Sequence, residues 1–500
     1  MTSDGWDVII HHATIYDGSG NPPVLMDVAL RGERIVAVGQ QLEGQAGVVL
    51  DATGLALAPG FIDVHSHDDL AVLVSPAMDF KVMQGVTTDV VGNCGLGVAP
   101  YDAAAQFFRM FDPQLELPRW DGYRGYLEAI EQNPPSVNVV LLVGHNTLRL
   151  AAMGNAQREP TEKELRQMHA WIQEGIEAGA VGLSTGLIYE PGRYAQTEEI
   201  IALTREVATA GGLYTTHMRN EAGGLLDAVR EALRIGEESG IPVQISHHKA
   251  SGKENWGRVR DSLRLLEDAQ ARGLDATADQ YPYTSGSTVL LAIMQNNALN
   301  ERGTHGGVGR VEPRHVFFAS TPHHPEYEGH TLQELSEQFG LPAEAAALRV
   351  LEQEGLGAVV IVEMMDEGDV RTVLRHPTTM IGSDGIPSTG ANPHPRLYGT
   401  FPRVLGRYAR TEALLSLEEA VYRMTGFPAT KFRLRDRGFV RAEYYADLVL
   451  FDPTTIMDTA TYAAPRQYPA GIRHVFVNGT QVVRDGQHTG ARPGRALRRQ

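Results

Sequence analysis

One cysteine, Cys94, stands alone among 500 residues. No disulfide can therefore form within the chain, and such sparse use fits a reducing compartment. Basic charge is also scarce: 44 Lys and Arg against 61 Asp and Glu leave a formal charge of −17. Nucleic-acid binding rests on clustered Lys and Arg, so that partner class is excluded. The one dense basic run, the tail "RPGRALRRQ", reads as a solvated terminus. Nowhere do about twenty apolar residues run together, as a membrane helix requires. The opening "MTSDGWDVIIHHATIYDGSG" lacks a basic n-region followed by an unbroken apolar segment, so no signal peptide is expected. The expected location is cytoplasmic, where the N-x-T sequon at Asn478 carries no weight. Internal repeats and low-complexity tracts are absent too.

What remains is ordinary globular material, 42% hydrophobic and 21% charged. A chain of this length exceeds the size at which a single core stops growing, so more than one module is expected. Both ends read as short strands. "WDVIIHHATIYDG", "DVALRGERIVAVG" and "GVVLDATGLALAPG" open the chain, and "ADLVLFD" and "GIRHVFVNGTQVVRDG" close it, with "NG" as a hairpin cue. Between them, apolar strands alternate with amphipathic helices: "APGFIDVHSH", "GVTTDVVGN", "VNVVLLVGH", "AGAVGLST", "GGLYTTHM", "IPVQISHH", "LDATADQYPY" and "TTMIGSD". Helical stretches such as "TEKELRQMHAWIQEGIEAG" begin at Thr and end at Gly. The pattern predicts an α/β protein built on a (β/α)8 TIM barrel. Residues 1–57 and 436–500 would form a small β-sandwich-like module, and 58–435 the barrel. A Gly-, Pro- and His-rich insertion at about 288–345, between strands 7 and 8, reads as a lid.

Catalytic side chains of such barrels sit at the C-terminal ends of the strands. Here those ends carry His65 and His67, Cys94, His145, His217, His247 and His248, and Asp384. His65 and His67 lie two apart and share a face of an extended strand. Imidazole suits zinc, and thiolate favours it over hard cations. A Cys and His set with open positions fits a catalytic zinc centre. Cys94 alone reads equally as a packed hydrophobe, a nucleophile or a ligand. With histidines closing the neighbouring strands, ligation is the strongest of the three. Asp384 reads either as a turn residue before Gly or as a base facing a metal-activated water.

"PGFIDVHSHDD", "GVTTDVVGNCG", "GHNTLR", "THMRNE", "ISHHK", "YPY…GST", "IGSDG" and "HPRLYGTFPRVLG" together resemble the D-aminoacylases, or N-acyl-D-amino-acid deacylases, of the amidohydrolase superfamily. The resemblance runs along almost the whole chain. It implies zinc as cofactor, held tightly by Cys94, His217 and His247. A second, weaker position is implied at His65, His67 and Cys94. It also implies Asp384 as the catalytic residue, and Lys249, Arg396, Tyr189, Tyr281 and Ser287 as substrate-carboxylate contacts. The implied reaction is hydrolysis of a small-molecule N-acyl-D-amino acid, with neither nucleic acid nor membrane as partner. Two rivals stand beside it: a cyclic-amide hydrolase of the hydantoinase or dihydropyrimidinase type, and a non-catalytic scaffold on the same barrel. His323 and His324, in the insertion, read as exposed lid residues.

Overall fold

A computed structural model describes residues 5–111, 116–300, 306–355, 357–387, 390 and 392–499. Its centre is a parallel sheet of Phe61–Asp63, Val86–Val91, Asn138–Gly144, Gly182–Gly186, Leu213–His217, Val243–Ile245, Ala276–Gln280 and Thr379–Ile381, each paired with its neighbours in chain order. The ring closes where Ser66 bridges Gly385 and the Asp384 N–H donates to the His65 carbonyl at 2.7 Å. This is the predicted barrel, and its eight strands are those read from the sequence. Burial on both faces explains their apolar composition.

The helices between them obey their caps. Glu162–Ala178 starts with a capping box between Thr161 and Glu164 and stops at Gly179, whose φ of 116° takes the left-handed turn. Among the described residues no helix is long and apolar enough to cross a membrane.

A nine-stranded sheet joins the two ends of the chain, through antiparallel pairing of Ala56–Pro59 with Leu448–Phe451. It carries its own core, in which Ile10, Val28 and Leu30 meet Leu448 and Phe476. The "NG" cue lies where expected: Asn478 and Gly479, at φ 47° and 76°, turn Ile472–Val477 into Thr480–Arg484.

Between the seventh and eighth barrel strands, Ser285–Val289, Val316–Ser320 and Val359–Glu363 form an antiparallel sheet of three strands. Helices Leu290–Gln295, Leu332–Phe339 and Ala343–Glu354 accompany it. Val359–Glu363 is the central strand and lies beyond the 288–345 stretch, while Ser285–Val289 begins just before it.

The basic tail departs from expectation. Instead of trailing in solvent, Ala496–Leu497 pairs in parallel with Val139–Val140. The reason is close backbone approach at Gly494, where a Cβ would fall 2.0 Å from the Val137 carbonyl oxygen. Arg495 and Arg498 then reach Glu33 and Glu131. Two of the run's four arginines are thereby held in ion pairs.

Candidate active site

The strand ends converge on Cys94. Its Sγ lies 3.3 Å from His65 Nε2, 3.5 Å from His247 Nε2 and 3.6 Å from His217 Nδ1. Asp384 Oδ1 stands 3.2 Å from His67 Nε2 and 3.5 Å from His65 Nε2. Cys94, His247 and Asp384 hold positive φ of 54°, 35° and 50°, a conformation costing on the order of 1–2 kcal/mol per non-glycine residue. Such strain persists only where surroundings over-determine it, as functional sites do. One restraint is visible: Asp279 Oδ1 accepts the His247 N–H at 2.8 Å.

Three sets of donors each lie within 4.8 Å of one another: His65, His67 and Cys94; Cys94, His217 and His247; His65, His247 and Asp384. Zinc bonds of about 2.0–2.3 Å in a tetrahedron place donors roughly 3.3–3.7 Å apart, and the contacts of Cys94 fall in that span. The far nitrogens of the imidazoles fit as well. Asp279 Oδ1 is 3.2 Å from His65 Nδ1, while Glu221 Oε1 is 3.1 Å from His247 Nδ1 and 3.6 Å from His217 Nε2. Carboxylates behind metal-binding imidazoles fix their tautomer and orientation. The residues present therefore fit a metal ion.

Electrostatics prepares these donors. Burial alone would raise the Cys94 thiol, yet the charges of His65 and His247 hold it well below its ordinary value, favouring thiolate. Burial would likewise raise Asp384, but Arg396, His247 and His67 together hold it well below the usual carboxylate range. Burial is outweighed at Glu221 too, where the Lys249 ammonium pulls the carboxyl down.

The other predicted residues surround one cavity of about 250 Å³, whose wall includes His67, Cys94, Lys249, Tyr189, Tyr281 and Ser287. Lys249 Nζ lies 2.7 Å from both Glu221 Oε1 and His247 Nδ1. The ring of Tyr189 meets His217 edge-on at 4.7 Å. Arg396 is placed differently. It is fully buried and absent from the cavity wall, its guanidinium 4.6 Å from the Tyr281 ring centre and 2.8 Å from Asp384 Oδ2. Two strand-end histidines stay out of the cluster: His145 pairs with Glu199 at 2.9 Å, and His248 with Ser262 at 2.8 Å. His323 and His324 sit on the insertion beside Glu354 and Glu326, and neither lines the cavity.

Sequence reasoning missed Glu221, Asp279 and a buried ion cluster beneath the first strand. Glu221 follows His217 by four residues, and Asp279 interrupts an apolar strand; both were weak signals. In the cluster, Lys81 Nζ contacts Asp63, stands 2.9 Å from Asp68 and 3.6 Å from Asp89, and donates to Ser383 Oγ at 3.1 Å. Asp63 Oδ1 in turn accepts the backbone N–H of His65 (3.2 Å) and of Ser383 (2.8 Å). It thereby ties the first strand's ligands to the eighth strand's aspartate. Lys81 is wholly buried with its carboxylates, and removing one partner of a buried ion pair typically costs about 3–5 kcal/mol. A Lys81→Met chain should lose stability of that order, read as a lower urea midpoint. A midpoint unchanged from wild type would mean the cluster holds nothing in place.

Known proteins are similar to this chain over almost its whole length. The amidohydrolase family model matches residues 48–348 and 346–483. A D-aminoacylase of Alcaligenes xylosoxydans xylosoxydans is 42% identical over 99% of this chain and 98% of its own length. An N-acyl-D-glutamate deacylase of the same organism is 41% identical, over 99% of this chain and 96% of its own. The crystal structure of an N-acyl-D-glutamate deacylase from Bordetella bronchiseptica, complexed with zinc and a phosphonate mimic of the tetrahedral intermediate, superposes with a TM-score of 0.88. It is 39% identical and covers 99% of this chain and 100% of that one.

Proposed function

The chain belongs to the D-aminoacylase family of amidohydrolases, and from that membership we propose that it hydrolyses N-acyl-D-amino acids to a carboxylate and a free D-amino acid, with zinc as its metal. The observation that carries the reading is the convergence of one thiol, four imidazoles and the Asp384 carboxylate beside a cavity with a cation, Lys249, on its wall. Cys94, His217 and His247 would hold the tight zinc, and His65, His67 and Cys94 a weaker second ion. Bound there, zinc supplies Lewis acidity toward the amide carbonyl and lowers the pKa of water to about 7.

The chain's own groups do the rest. Asp384, kept ionised by Arg396, takes a proton from the attacking water at Oδ1. Water oxygen bonds to the acyl carbon, the C–N bond breaks, and Asp384 returns its proton to the departing amine. Arg396 clamps Oδ2 and so aims Oδ1 toward His65 and His67. Lys249 meets the substrate carboxylate as a point charge, with Tyr189, Tyr281 and Ser287 as neutral polar neighbours. Arg396, whose guanidinium lies 4.6 Å from the Tyr281 ring centre and 3.4 Å from the Ser287 carbonyl, adds a second cation behind these neighbours. Glu221 and Asp279 orient the imidazoles.

A cyclic-amide hydrolase using a carboxylated lysine as metal bridge is less well supported. Lys249 reaches Nδ1 of His247, while Cys94 faces Nε2 of the same ring. Zinc-loaded protein incubated with N-acetyl-D-methionine should release free amine at least about 100-fold faster than with the L enantiomer. Equal rates, or opening of hydantoin in place of either, would refute the reading.

A further inference from the structure

The end of the barrel opposite the Cys94 cluster holds a second cavity, of about 680 Å³, a size usual for small-molecule sites. Val181 and Gly211 on its wall lie just before the fourth and fifth barrel strands, whereas Cys94 and its histidines sit where strands end. In a chain of formal charge −17, this wall gathers six arginines. Arg433, Arg435 and Arg437 follow the helix Gly426–Lys431, and Arg495, Arg498 and Arg499 belong to the tail. We propose that the cavity binds a small anion carrying two or three linked phosphate groups.

Ion pairs neutralise this group only in part. Asp447 meets Arg437, Glu33 meets Arg495, and Glu131 lies 2.6 Å from Arg498. Asp436 is shared by Arg435 at 3.9 Å and Arg34 at 3.1 Å. The C-terminal carboxylate of Gln500, next to Arg499 in the chain, brings a fifth negative charge. Seven guanidiniums therefore stand against five carboxylates. The pairs at Glu33 and Glu131 are half-exposed, and exposed pairs are weak, so Arg495 and Arg498 can turn to a more highly charged partner. Tyr445, also on the wall, fixes part of the set: the guanidinium carbons of Arg34 and Arg437 lie 3.7 and 3.9 Å from its ring centre. A guanidinium offers a planar fork of N–H donors that matches phosphate oxygens two at a time. Linked phosphates suit a wall whose forks come from two separate segments of the chain.

Arg433 is the residue that a purely structural role leaves unexplained. It ends its helix at φ 54°. Its N–H donates to the Thr430 carbonyl at 3.2 Å, and the Leu434 N–H to the Ala429 carbonyl at 2.8 Å. Those two bonds define a helix stop that glycine usually fills, as Gly179 does after Glu162–Ala178. Arginine there carries backbone strain that the helix itself does not require. Its exposed guanidinium donates to the Gly211 carbonyl, a neutral acceptor that leaves the charge uncompensated. A Cβ on Gly211 would fall 2.8 Å from Arg433 Nη1 and 3.9 Å from Arg499 Nη1. Two guanidiniums from distant segments thus converge on one point, and an anion between them would relieve their repulsion.

Calorimetric titration of the full chain with tripolyphosphate, ATP, adenosine and sulfate at fixed ionic strength tests this. Tripolyphosphate and ATP should bind at about one per chain, and adenosine should not bind. Equal affinity for the two would assign recognition to the phosphates alone, and tighter binding of ATP would add contacts to its nucleoside; both support the proposal. The double variant Arg433→Gly, Arg499→Ala should weaken this binding at least about tenfold. Its metal content and the thermal midpoint of the free protein should match wild type, because glycine relieves the left-handed turn. Undiminished binding in that variant would place the anion elsewhere, the metal included, and overturn the proposal. So would failure of both phosphate compounds to bind at millimolar concentration, or sulfate binding as tightly as they do. Tighter binding of a duplex DNA oligonucleotide than of tripolyphosphate would make this face a nucleic-acid surface and overturn it as well.

Discussion

An Asp384→Asn chain should retain zinc and lose about 10³–10⁴-fold in kcat, the upper part of the range for a positioned acid–base group. The substitution keeps shape and removes only the ability to take up and return a proton. Zinc retention follows from geometry. The set of Cys94, His217 and His247 does not include Asp384, so the tight position keeps its donors. A second consequence separates this residue from its neighbours. Arg396 is wholly buried and has Asp384 Oδ2 as its anionic partner at 2.8 Å. Asparagine would leave that cation uncompensated, at a cost of about 3–5 kcal/mol. Activity and denaturant midpoint should therefore fall together while bound zinc does not. Metal analysis, steady-state kinetics and urea unfolding on one preparation would read all three. A kcat within tenfold of wild type would eliminate Asp384 as proton carrier.

Cys94→Ala has the other large effect, on the metal itself. Cys94 belongs to two of the three donor sets, and its Sγ stands between imidazoles of three different strand ends. Loss of a residue that merely orients a ligand costs about 10–100-fold in metal affinity; losing the ligand should exceed that. Dialysed protein should hold far less than one zinc per chain, and its deacylase activity should fall with the metal. Folding should survive, because alanine at φ 54° carries the same backbone strain as cysteine and leaves a small void. The result also separates the three roles that the sequence left open for this residue. A packing role predicts retained zinc and activity, and a nucleophilic role predicts lost activity with zinc retained. Only ligation predicts that both are lost.

Much of this was legible before any fold was known, because a barrel strand announces both its apolar body and the polar residue at its end. "DVHSH", "GNCG", "TTH" and "IGSD" each placed a donor where the topology brings it inward. The same rule over-counted His145 and His248. Strand-end position does not fix direction, and these two turn toward Glu199 and Ser262. Glu221, Asp279 and Lys81 escaped for a related reason. Their importance lies in what they contact across the barrel, and Lys81 meets Asp63 and Ser383 over separations of 18 and 302 residues. The basic tail was misread because charge was visible and the close packing of Gly494 was not. The placement of Arg396 against Asp384 likewise depends on packing against Tyr281 that no local pattern reveals.

The most direct test of zinc-dependent deacylation is the rate of D-methionine release from N-acetyl-D-methionine by metal-stripped protein as zinc is returned. Release should be negligible without metal, and full activity should return as about one zinc per chain is restored. Full activity in the stripped protein, or no release of D-methionine at any zinc level, would contradict it.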